Sequence, residues 1–239
     1  MTGEAAPPPT IRAFVAGRSG SGKSTFVEKM FLRKFPRQIL LDYTGEYEAK
    51  GTVPPCYSVK ELADVMRSLA PRGQWVITLS MDKSQIPELV KWLVPVPDLR
   101  KSPIRAVNGA VLLVDEVDMI APPRSTSEEV RTLYRRSRHV GLSVISTTQR
   151  PAAVSREVSA QSQQAIALDL SEPRDRDYMT DLMRLSVTQV SQYRQWVRAH
   201  PHGALWKDLQ AGHLLWFPDS GVPQREGPKP AQVSFVDGA

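Results

Sequence analysis

Short apolar runs alternate along the chain with longer stretches in which apolar residues recur at helical spacing. Most of the short runs are apolar throughout, which is typical of strands covered on both faces of a sheet. Strands that alternate with helices predict an α/β fold with a mainly parallel central sheet flanked by helices. We expect strands at residues 11–16, 38–42, 75–80, 110–115, 142–148 and 165–170, and an edge strand at 213–217.

The helical stretches lie between these strands, and several begin with a recognisable start signal. Ser125 precedes Glu128, and Ser186 precedes Gln189, by the three residues of a capping box. Pro173 fits the first position of a helix, where a missing N–H group is tolerated. We expect helices at residues 23–34, 59–68, 86–94, 128–139, 173–185 and 187–199.

Length and composition indicate one globular domain between two short terminal segments. The chain has 239 residues, of which 41% are hydrophobic, enough for one sizeable core. We expect an N-terminal arm at residues 1–10, the domain at 11–217 and a Pro/Gly-rich tail at 218–239. The longest apolar runs have four residues, such as 111–114, whereas a bilayer span needs roughly 20. No transmembrane helix is therefore expected.

The cysteine content and the first residues bear on where the protein works. The lone Cys56 cannot form an internal disulfide, which favours a reducing compartment. Residues 1–10 lack the basic and apolar segments of a secretory signal, so we expect a cytoplasmic protein. Lys and Arg exceed Asp and Glu by 31 to 25, a net charge of +6. That surplus fits an anionic partner such as nucleic acid, and it equally fits a solubility role.

A phosphate-binding motif, G-x-x-x-x-G-K-[ST] or Walker A, lies between the first predicted strand and the first predicted helix. Its residues are Gly17, Arg18, Ser19, Gly20, Ser21, Gly22, Lys23, Ser24 and Thr25. Glycines let backbone N–H groups surround a β-phosphate, and the following helix adds its positive N-terminal dipole. Lys23 then reaches the β- and γ-phosphates, and the Ser24 hydroxyl ligates Mg²⁺. The motif predicts the binding of ATP or GTP with magnesium.

Two acids, Asp115 and Glu116, end the apolar run 111–114 in the manner of a Walker B motif. The carboxyl end of a buried strand is the side of an open α/β sheet at which ligands bind. Downstream of a phosphate loop, Asp115 is expected to hold the Mg²⁺ shell and Glu116 to act as general base for the attacking water. The pair favours hydrolysis over transfer to a substrate hydroxyl.

The strand predicted at 142–148 becomes polar at its end, where Gln149 follows Thr148. A glutamine beside Glu116 can hydrogen-bond both the γ-phosphate and the attacking water, and so respond to loss of the phosphate. An ordinary turn before Pro151 explains the same residues equally well. The role of Gln149 therefore stays open at the level of spacing alone.

Four segments together resemble the HerA/FtsK superfamily of additional-strand ATPases. They are the phosphate loop, Asp115-Glu116, the strand end at 148–151 and the sequence Asp-x-x-Gly-Glu-Tyr at 42–47. The resemblance covers about residues 11–170, with a weaker similarity at 209–216. It implies a homo-oligomeric ring, a pentamer or hexamer, that moves double-stranded DNA. It also implies catalytic roles for Lys23, Glu116 and Gln149, and Mg²⁺ ligation by Ser24 and Asp115.

The chain differs from the larger members of this superfamily, and these differences narrow the choice of function. HerA helicases have a β-barrel before the first strand, and FtsK translocases have membrane anchors and a DNA-reading domain; 239 residues accommodate neither. The chain resembles the genome-packaging ATPases of viruses with an internal membrane. That implies packaging of a viral genome into a capsid in the host cytoplasm, with a vertex or portal protein as partner. Alternatives are a cellular HerA-like DNA helicase motor and a nucleotide-switched assembly protein that does not move DNA.

Arginines are concentrated between residues 124 and 156, a segment that contains seven arginines and two acids. We expect Arg138 first, and Arg135 or Arg136 next, to reach the nucleotide of the adjacent subunit as a trans-acting finger. Arg124 and the others are expected to contact DNA phosphates without sequence preference. A solvated charged face is the alternative. A second candidate DNA element is the loop at 95–109, with basic residues Arg100, Lys101 and Arg105, which a solubilising insertion explains about as well.

Overall fold

The structure, a computed structural model, describes residues 10–69, 72–96, 98, 109–219 and 223–225. In this part of the chain one eight-stranded sheet has the order β3-β2-β4-β5-β1-β6-β7-β8. Its strands are β1 (Arg12–Ala16), β2 (Arg37–Leu41), β3 (Trp75–Leu79), β4 (Val111–Val114), β5 (Ser143–Thr148), β6 (Gln164–Ala167), β7 (Ala204–Asp208) and β8 (Leu214–Phe217). The first six are parallel, whereas β7 and β8 continue the sheet antiparallel.

Seven helices connect or flank these strands within the described residues. They are α1 (Lys23–Met30), α2 (Val59–Leu69), α3 (Ile86–Leu93), α4 (Glu128–Arg136), α5 (Arg156–Ala160), α6 (Pro173–Leu182) and α7 (Val187–Ala199). Because β1–β6 run in one direction, they all end at one edge of the sheet, the carboxyl edge, and begin at the other, the amino edge. The connections from β1 and β4 into the next helices therefore lie at the carboxyl edge.

Both faces of the sheet are covered, as the uninterrupted apolar strands predict. Phe14 packs in a layer with residues of α2, α3, α4, α6 and α7, whereas its neighbour Val15 packs in a layer with α1. Successive strand residues enter opposite layers because side chains alternate across a strand. All five residues of β1 are buried, which anchors the segment that follows it.

The expected α/β fold is confirmed, and its element bounds differ from the expectation mostly at helix ends. The helix predicted at 23–34 ends at Met30 and that at 128–139 ends at Arg136, each continuing as a short 3₁₀ turn. The antiparallel strand β7 and the short helix α5 were not predicted. Both are brief, and the sequence of β7, ALWKD, lacks the apolar run of the central strands.

The helix starts were predicted with mixed success. The capping box of Ser186 and Gln189 is present, and Pro173 opens α6. The box at Ser125 is wrong, because Ser127 caps α4 by accepting a hydrogen bond from the Val130 amide at 3.3 Å. A serine directly before the first helical turn is better placed than one two residues earlier.

Several predictions concern segments that the structure describes incompletely. Arg100, Lys101 and Arg105 lie outside the described residues, as do the arm at 1–9 and the tail from 226 onwards. All eight strands belong to one sheet, and the boundaries predicted for the domain stay predictions. In the part of the chain that the structure describes, no helix has both the length and the apolar character of a bilayer span.

Candidate functional site

The phosphate loop leaves β1 at the carboxyl edge and is fixed there by neighbouring strands. The Gly17 amide donates to the Thr148 carbonyl at 3.1 Å, and the Arg18 amide donates to the Asp169 carbonyl at 2.8 Å. A Cβ atom at Gly17 would lie 2.5 Å from the Ser21 Oγ, so this position admits only glycine. The loop is thus held by the ends of β5 and β6 on either side of β1.

Two further glycines give the loop its curvature. Gly20 and Gly22 have φ angles of +74° and +86°, a left-handed conformation that other residues rarely adopt. The turn that they make leads directly into α1, which begins at Lys23. Free amides of the first helical turn therefore face the loop, an arrangement that favours an anion such as phosphate. Ser19 lies exposed in the same loop, and Thr25 is exposed on the first turn of the helix.

Lys23 points inward, although it follows an exposed loop. Its side chain is only 7% exposed, and its Nζ lies 3.6 Å from Glu116 Oε1. The hydroxyl of the next residue, Ser24, donates to the carboxylate of Glu46. Ser21 Oγ is buried without a hydrogen-bond partner among the described residues. Hydrogen-bond donors of Ser21, Lys23 and Ser24 therefore lie close together at the phosphate loop.

Asp115 is held rigidly between two strands. It is 1% exposed, and each carboxylate oxygen accepts one hydrogen bond from a threonine hydroxyl. Thr147 Oγ1 donates to Oδ1 at 2.5 Å, and Thr44 Oγ1 donates to Oδ2 at 2.7 Å. These bonds fix the orientation of the carboxylate. The structure thus places Asp115 near the loop with its carboxylate already oriented.

Glu116 has a backbone conformation that is unusual for its residue type. Its φ is +48° and its ψ +61°, in the left-handed region, which costs a non-glycine residue about 1 kcal/mol or more. Its Oε1 accepts a hydrogen bond from the Gln149 side-chain Nε2 at 2.8 Å, and its Oε2 accepts one from the Gln149 backbone amide at 3.1 Å. Strain of this kind concentrates at functional sites. Glu116 and Gln149 therefore form a pair, beside Lys23, in which both carboxylate oxygens of Glu116 are hydrogen-bonded to Gln149.

The segment 42–47 supplies a fourth side of the site. Asp42 is buried and accepts hydrogen bonds from the amides of Gly45 and Tyr47, both at 2.8 Å. This cap folds the segment back, so that Glu46 reaches Ser24 and Thr44 reaches Asp115. Burial raises the pKa of the Tyr47 phenol, which keeps it neutral. The Asp-x-x-Gly-Glu-Tyr pattern therefore has a structural reason at each of its named positions.

Sequence reasoning brought the central residues together correctly but did not identify all that surround them. Lys23, Ser24, Asp115, Glu116 and Gln149 meet at one edge, because β1, β4 and β5 are adjacent and parallel. Missing from the sequence prediction were the functional contacts of Thr44, Glu46 and Thr147. The sequence did contain a signal for Thr147, because Thr147 is a polar residue near the end of a strand that neighbours Asp115.

A cavity of about 260 Å³ lies beside the phosphate loop. Thr25 and Phe26 of α1 line one side, and Phe217 and Asp219, at the end of β8, line the other. His202 closes it against Gly22, where a Cβ atom would lie 3.2 Å from the histidine Nδ1. The antiparallel strands β7 and β8 bring these distant residues to the carboxyl edge, so the cavity was not predictable from spacing.

Arg138 is not part of this arrangement within one subunit. It is exposed in the turn Ser137–Val140, which precedes β5 and so lies at the amino edge. Only a second copy of the chain could bring it to a nucleotide at the carboxyl edge. Its role as a trans-acting finger stays a prediction.

Two of the arginines on α4, within the arginine-rich segment, are paired with acids. Arg131 and Arg135 both form ion pairs with Glu128 and Glu157. Glu157 lies just beyond the segment in which the sequence showed so few acids, and α5 turns it back towards α4. Arg156 pairs with Asp181. Much of the local positive charge is therefore compensated within the subunit.

The oxygen atoms at the carboxyl edge suit magnesium that is shared with a nucleotide. The described residues contain no cluster of three or more His, Cys, Asp or Glu that could hold a metal alone. Mg²⁺ usually takes one or two protein oxygens and completes its shell with phosphates and water. The Ser24 hydroxyl and the buried Asp115 carboxylate fit that limited role.

Comparisons with known proteins agree with this architecture. The model of the family described as Zonular occludens toxin (Zot) matches residues 63–169. The genome packaging NTPase B204 from Sulfolobus turreted icosahedral virus 2 superposes with a TM-score of 0.66 at 19% identity, covering 87% of this chain and 95% of that one. VirB4 of Thermoanaerobacter pseudethanolicus gives a TM-score of 0.56 at 15% identity, covering 87% and 88%. A search of curated proteins finds no significant match.

These likenesses concern the fold. The strand order places β5 between the phosphate-loop strand β1 and the acidic strand β4. The structural neighbours superpose over most of their length at low identity. The chain therefore has the P-loop NTPase fold, and its expected resemblance to viral genome-packaging ATPases is confirmed at the level of the fold.

Proposed function

We propose that the protein is a magnesium-dependent ATPase whose ring-shaped homo-oligomer moves double-stranded DNA, most specifically a motor that packages a viral genome into a capsid. One observation carries the proposal: Lys23, Asp115, Glu116 and Gln149 converge on a phosphate loop with oriented side chains. Such a constellation provides phosphate binding, a magnesium ligand, a base and a polar sensor, which together serve hydrolysis.

Nucleotide binding would use both the loop and the cavity beside it. The backbone amides of residues 17–25 surround the phosphates, and Lys23 leaves Glu116 to contact the β- and γ-phosphates. The cavity next to Gly22 and Thr25 accommodates the nucleoside, with His202 against the loop. ATP is the nucleotide we propose, in keeping with the complex of B204 with ATP-gammaS, which has 18% identity to this chain.

Hydrolysis then depends on the pair formed by Glu116 and Gln149. Ser24 and Asp115 would hold Mg²⁺ together with the nucleotide, and the ion would supply positive charge against the phosphates. Glu116 accepts a proton from water, whose oxygen attacks the γ-phosphorus as the bond to the β-phosphate oxygen breaks. Gln149 orients that water. Both carboxylate oxygens of Glu116 are engaged by Gln149 here, so activation requires this pair to open.

The DNA-moving part of the proposal rests on resemblance and charge. B204 is described as a genome packaging NTPase, and the net charge of +6 suits a polyanion. A ring of five or six subunits would allow Arg138 to act on a neighbour's nucleotide. A capsid vertex or portal protein would be the further partner, and the host cytoplasm the place of action.

ATP hydrolysis by the full chain, measured with and without duplex DNA at low salt, tests the proposal. We expect DNA to stimulate the rate, and Glu116→Gln to lower kcat by about 10²- to 10⁴-fold while nucleotide binding persists. Glu172→Gln is the matched control, because Glu172 is an exposed acid outside the site. Hydrolysis that DNA does not stimulate would contradict a translocase and favour a nucleotide-switched assembly protein.

A further inference from the structure

Basic side chains are concentrated at the amino edge, opposite the phosphate loop. Five of them lie in or directly beside the connections that precede β2, β3 and β5, and no ion pair joins them to another described residue: Arg33, Lys34, Arg72, Arg136 and Arg138. Among the described residues, Asp98 is the acid in the connections before β1–β6. At the β7–β8 turn, Asp208 accepts hydrogen bonds from the amides of Gln210 and Ala211. Positive charge therefore predominates along this edge.

A buried arginine lies at the centre of the edge. Arg12 opens β1 and is only 8% exposed. Its Nη1 donates to the Tyr134 carbonyl at 3.2 Å and to Gln161 Oε1 at 3.4 Å. Its Nε is buried without a partner among the described residues, and none of the carboxylates described pairs with it. Burial, followed by the charge of nearby Arg138, lowers the pKa of Arg12.

The Tyr134 carbonyl, in the last turn of α4, offsets part of the Arg12 charge, but no described carboxylate neutralises it. Buried charges in proteins are normally paired, because removal from water costs several kcal/mol otherwise. Two neighbouring arginines add repulsion to that cost. A phosphate bound by the exposed Arg138 close to Arg12 would offset both charges, since guanidinium groups bind phosphate with good geometry.

The length of the basic row favours a polymer over a small anion. The strands β3, β2, β4, β5 and β1 are consecutive in the sheet. At about 4.8 Å between neighbours, the row from Arg72 to Arg12 extends over about 19 Å, more than the width of about 12 Å of a DNA major groove. A depression of about 620 Å³ lies beside Arg33 and Lys34 at one end. Phosphates on both sides of a groove are therefore within reach of one subunit.

We propose that the amino edge binds the sugar–phosphate backbone of duplex DNA, with Arg138 holding one phosphate close to Arg12. The inference rests on the DNA-moving part of the proposed function and deepens it, because it assigns the DNA contact to the side of the sheet that faces away from the nucleotide. It gives Arg138 to DNA in place of the trans-acting role at a neighbour's nucleotide. The contact involves charge and no base edges, so it is independent of DNA sequence and weakens with salt.

The test compares two double variants of the full chain by fluorescence anisotropy of a labelled duplex across a salt series. Arg136→Ala with Arg138→Ala removes two charges from the amino edge. Arg135→Ala with Arg156→Ala removes two charges that are paired with Glu157 and Asp181, and is the matched control. We expect the edge variant to lose about 10- to 100-fold in affinity at about 0.1 M salt, and its slope of log affinity against log salt to fall by about 2. The control should lose less than about threefold.

Arg12→Met separates a DNA contact from a structural role. The substitution removes the desolvation cost of a buried charge together with its hydrogen bonds to the Tyr134 carbonyl and Gln161, so the melting temperature should change little while DNA affinity falls. A lower melting temperature with unchanged DNA affinity would make Arg12 a structural residue and overturn its part in the inference.

Three other outcomes would overturn the inference as a whole. They are equal DNA affinities in the edge and control variants, stronger binding of wild-type protein to phosphatidylserine vesicles than to DNA, and loss of DNA-free hydrolysis in the edge variant with DNA affinity retained. The last would place Arg138 at a neighbour's nucleotide. Binding of a fluorescent ATP analogue, measured on the same samples, tests the proposed function separately from the DNA contact. If the wild-type protein does not bind the analogue, the proposed ATPase function is contradicted, while the DNA affinities can still be compared.

Discussion

The carboxyl edge and the amino edge of the sheet combine backbone and side-chain charge in opposite ways. At the carboxyl edge, the amides of the phosphate loop and the start of α1 present partial positive charge, whereas Asp42, Glu46, Asp115 and Glu116 surround them with acids. At the amino edge, helices α1–α4 end and leave partial negative charge, whereas most of the charged side chains are basic. Each edge therefore attracts anions by a different route.

Under the two proposals made above, this difference explains how one small domain could distinguish nucleotide phosphates from DNA phosphates. An anion at the carboxyl edge is held at short range by amides and Lys23, and the nearby carboxylates repel it unless Mg²⁺ is present. An anion at the amino edge meets exposed arginines with little competition from acids. Part of the basic excess complements helix C-termini, as with Arg135 and Arg136 in the last turn of α4. Arg12 also meets the end of α4, because its Nη1 donates to the Tyr134 carbonyl in the last turn of that helix, but its Nε has no acceptor among the described residues.

The largest expected effect comes from removing the cation of the carboxyl edge. Lys23→Met loses a charge-assisted contact of about 1.5–3 kcal/mol to the phosphates and the stabilisation of developing charge in the transition state, about 10²-fold or more. We expect kcat/KM for ATP to fall by about 10³-fold or more, while duplex binding by anisotropy is unchanged. Lys29→Met, an exposed lysine on the same helix, is the control. Loss of DNA binding in Lys23→Met would show that the two edges are not independent.

A smaller effect is expected from opening the pair at the carboxyl edge. Gln149→Ala removes the 2.8 Å hydrogen bond to Glu116 and the side chain proposed to orient water. We expect kcat to fall by about 10²-fold, as for other lost donors in active sites, with little change in nucleotide affinity. Stopped-flow binding and steady-state hydrolysis separate the two quantities. An equal fall in affinity would instead make Gln149 a ground-state phosphate ligand.

The carboxyl edge was largely predictable from the sequence, for a physical reason. Parallel strands end at one edge, so residues that follow buried strands meet there even when they are distant in the chain. The structure brings Lys23, Asp115, Glu116 and Gln149 to this edge as this logic predicts, and their roles stay predictions. The same logic did not find Glu46, whose contact depends on how the segment after β2 folds back under its Asp42 cap. It also did not find Thr147, whose contact with Asp115 depends on the register between β4 and β5.

The amino edge was not predictable in the same way. Arg12 looks like any residue at the start of a strand, and its unpaired state follows from neighbours such as Tyr134 and Gln161 that are more than 100 positions away. The arginine-rich segment misled in the other direction, because Glu157 returns through space to pair with Arg131 and Arg135. Charge counted along a sequence does not say which charges remain uncompensated after folding.

The smallest expected effect sharpens the comparison most directly, because its sign depends on magnesium. Glu46 accepts a hydrogen bond from the Ser24 hydroxyl, beside the expected phosphates. Glu46→Gln removes one negative charge there, an interaction of about 0.5–1 kcal/mol for an exposed group. With Mg²⁺ present, we expect ATP affinity to fall by about two- to fivefold; with EDTA, it should rise by a similar factor. Glu48→Gln, an exposed acid of the same segment, serves as the control.

Titration of a fluorescent ATP analogue in the two conditions measures both signs without any need for turnover. A fall in affinity in both conditions would mean that Glu46 supports the loop structurally through Ser24. A rise in both would mean that the acid only repels phosphate and has no part in the magnesium shell. Opposite signs alone agree with an edge whose acids reject a bare anion and accept it once magnesium is bound.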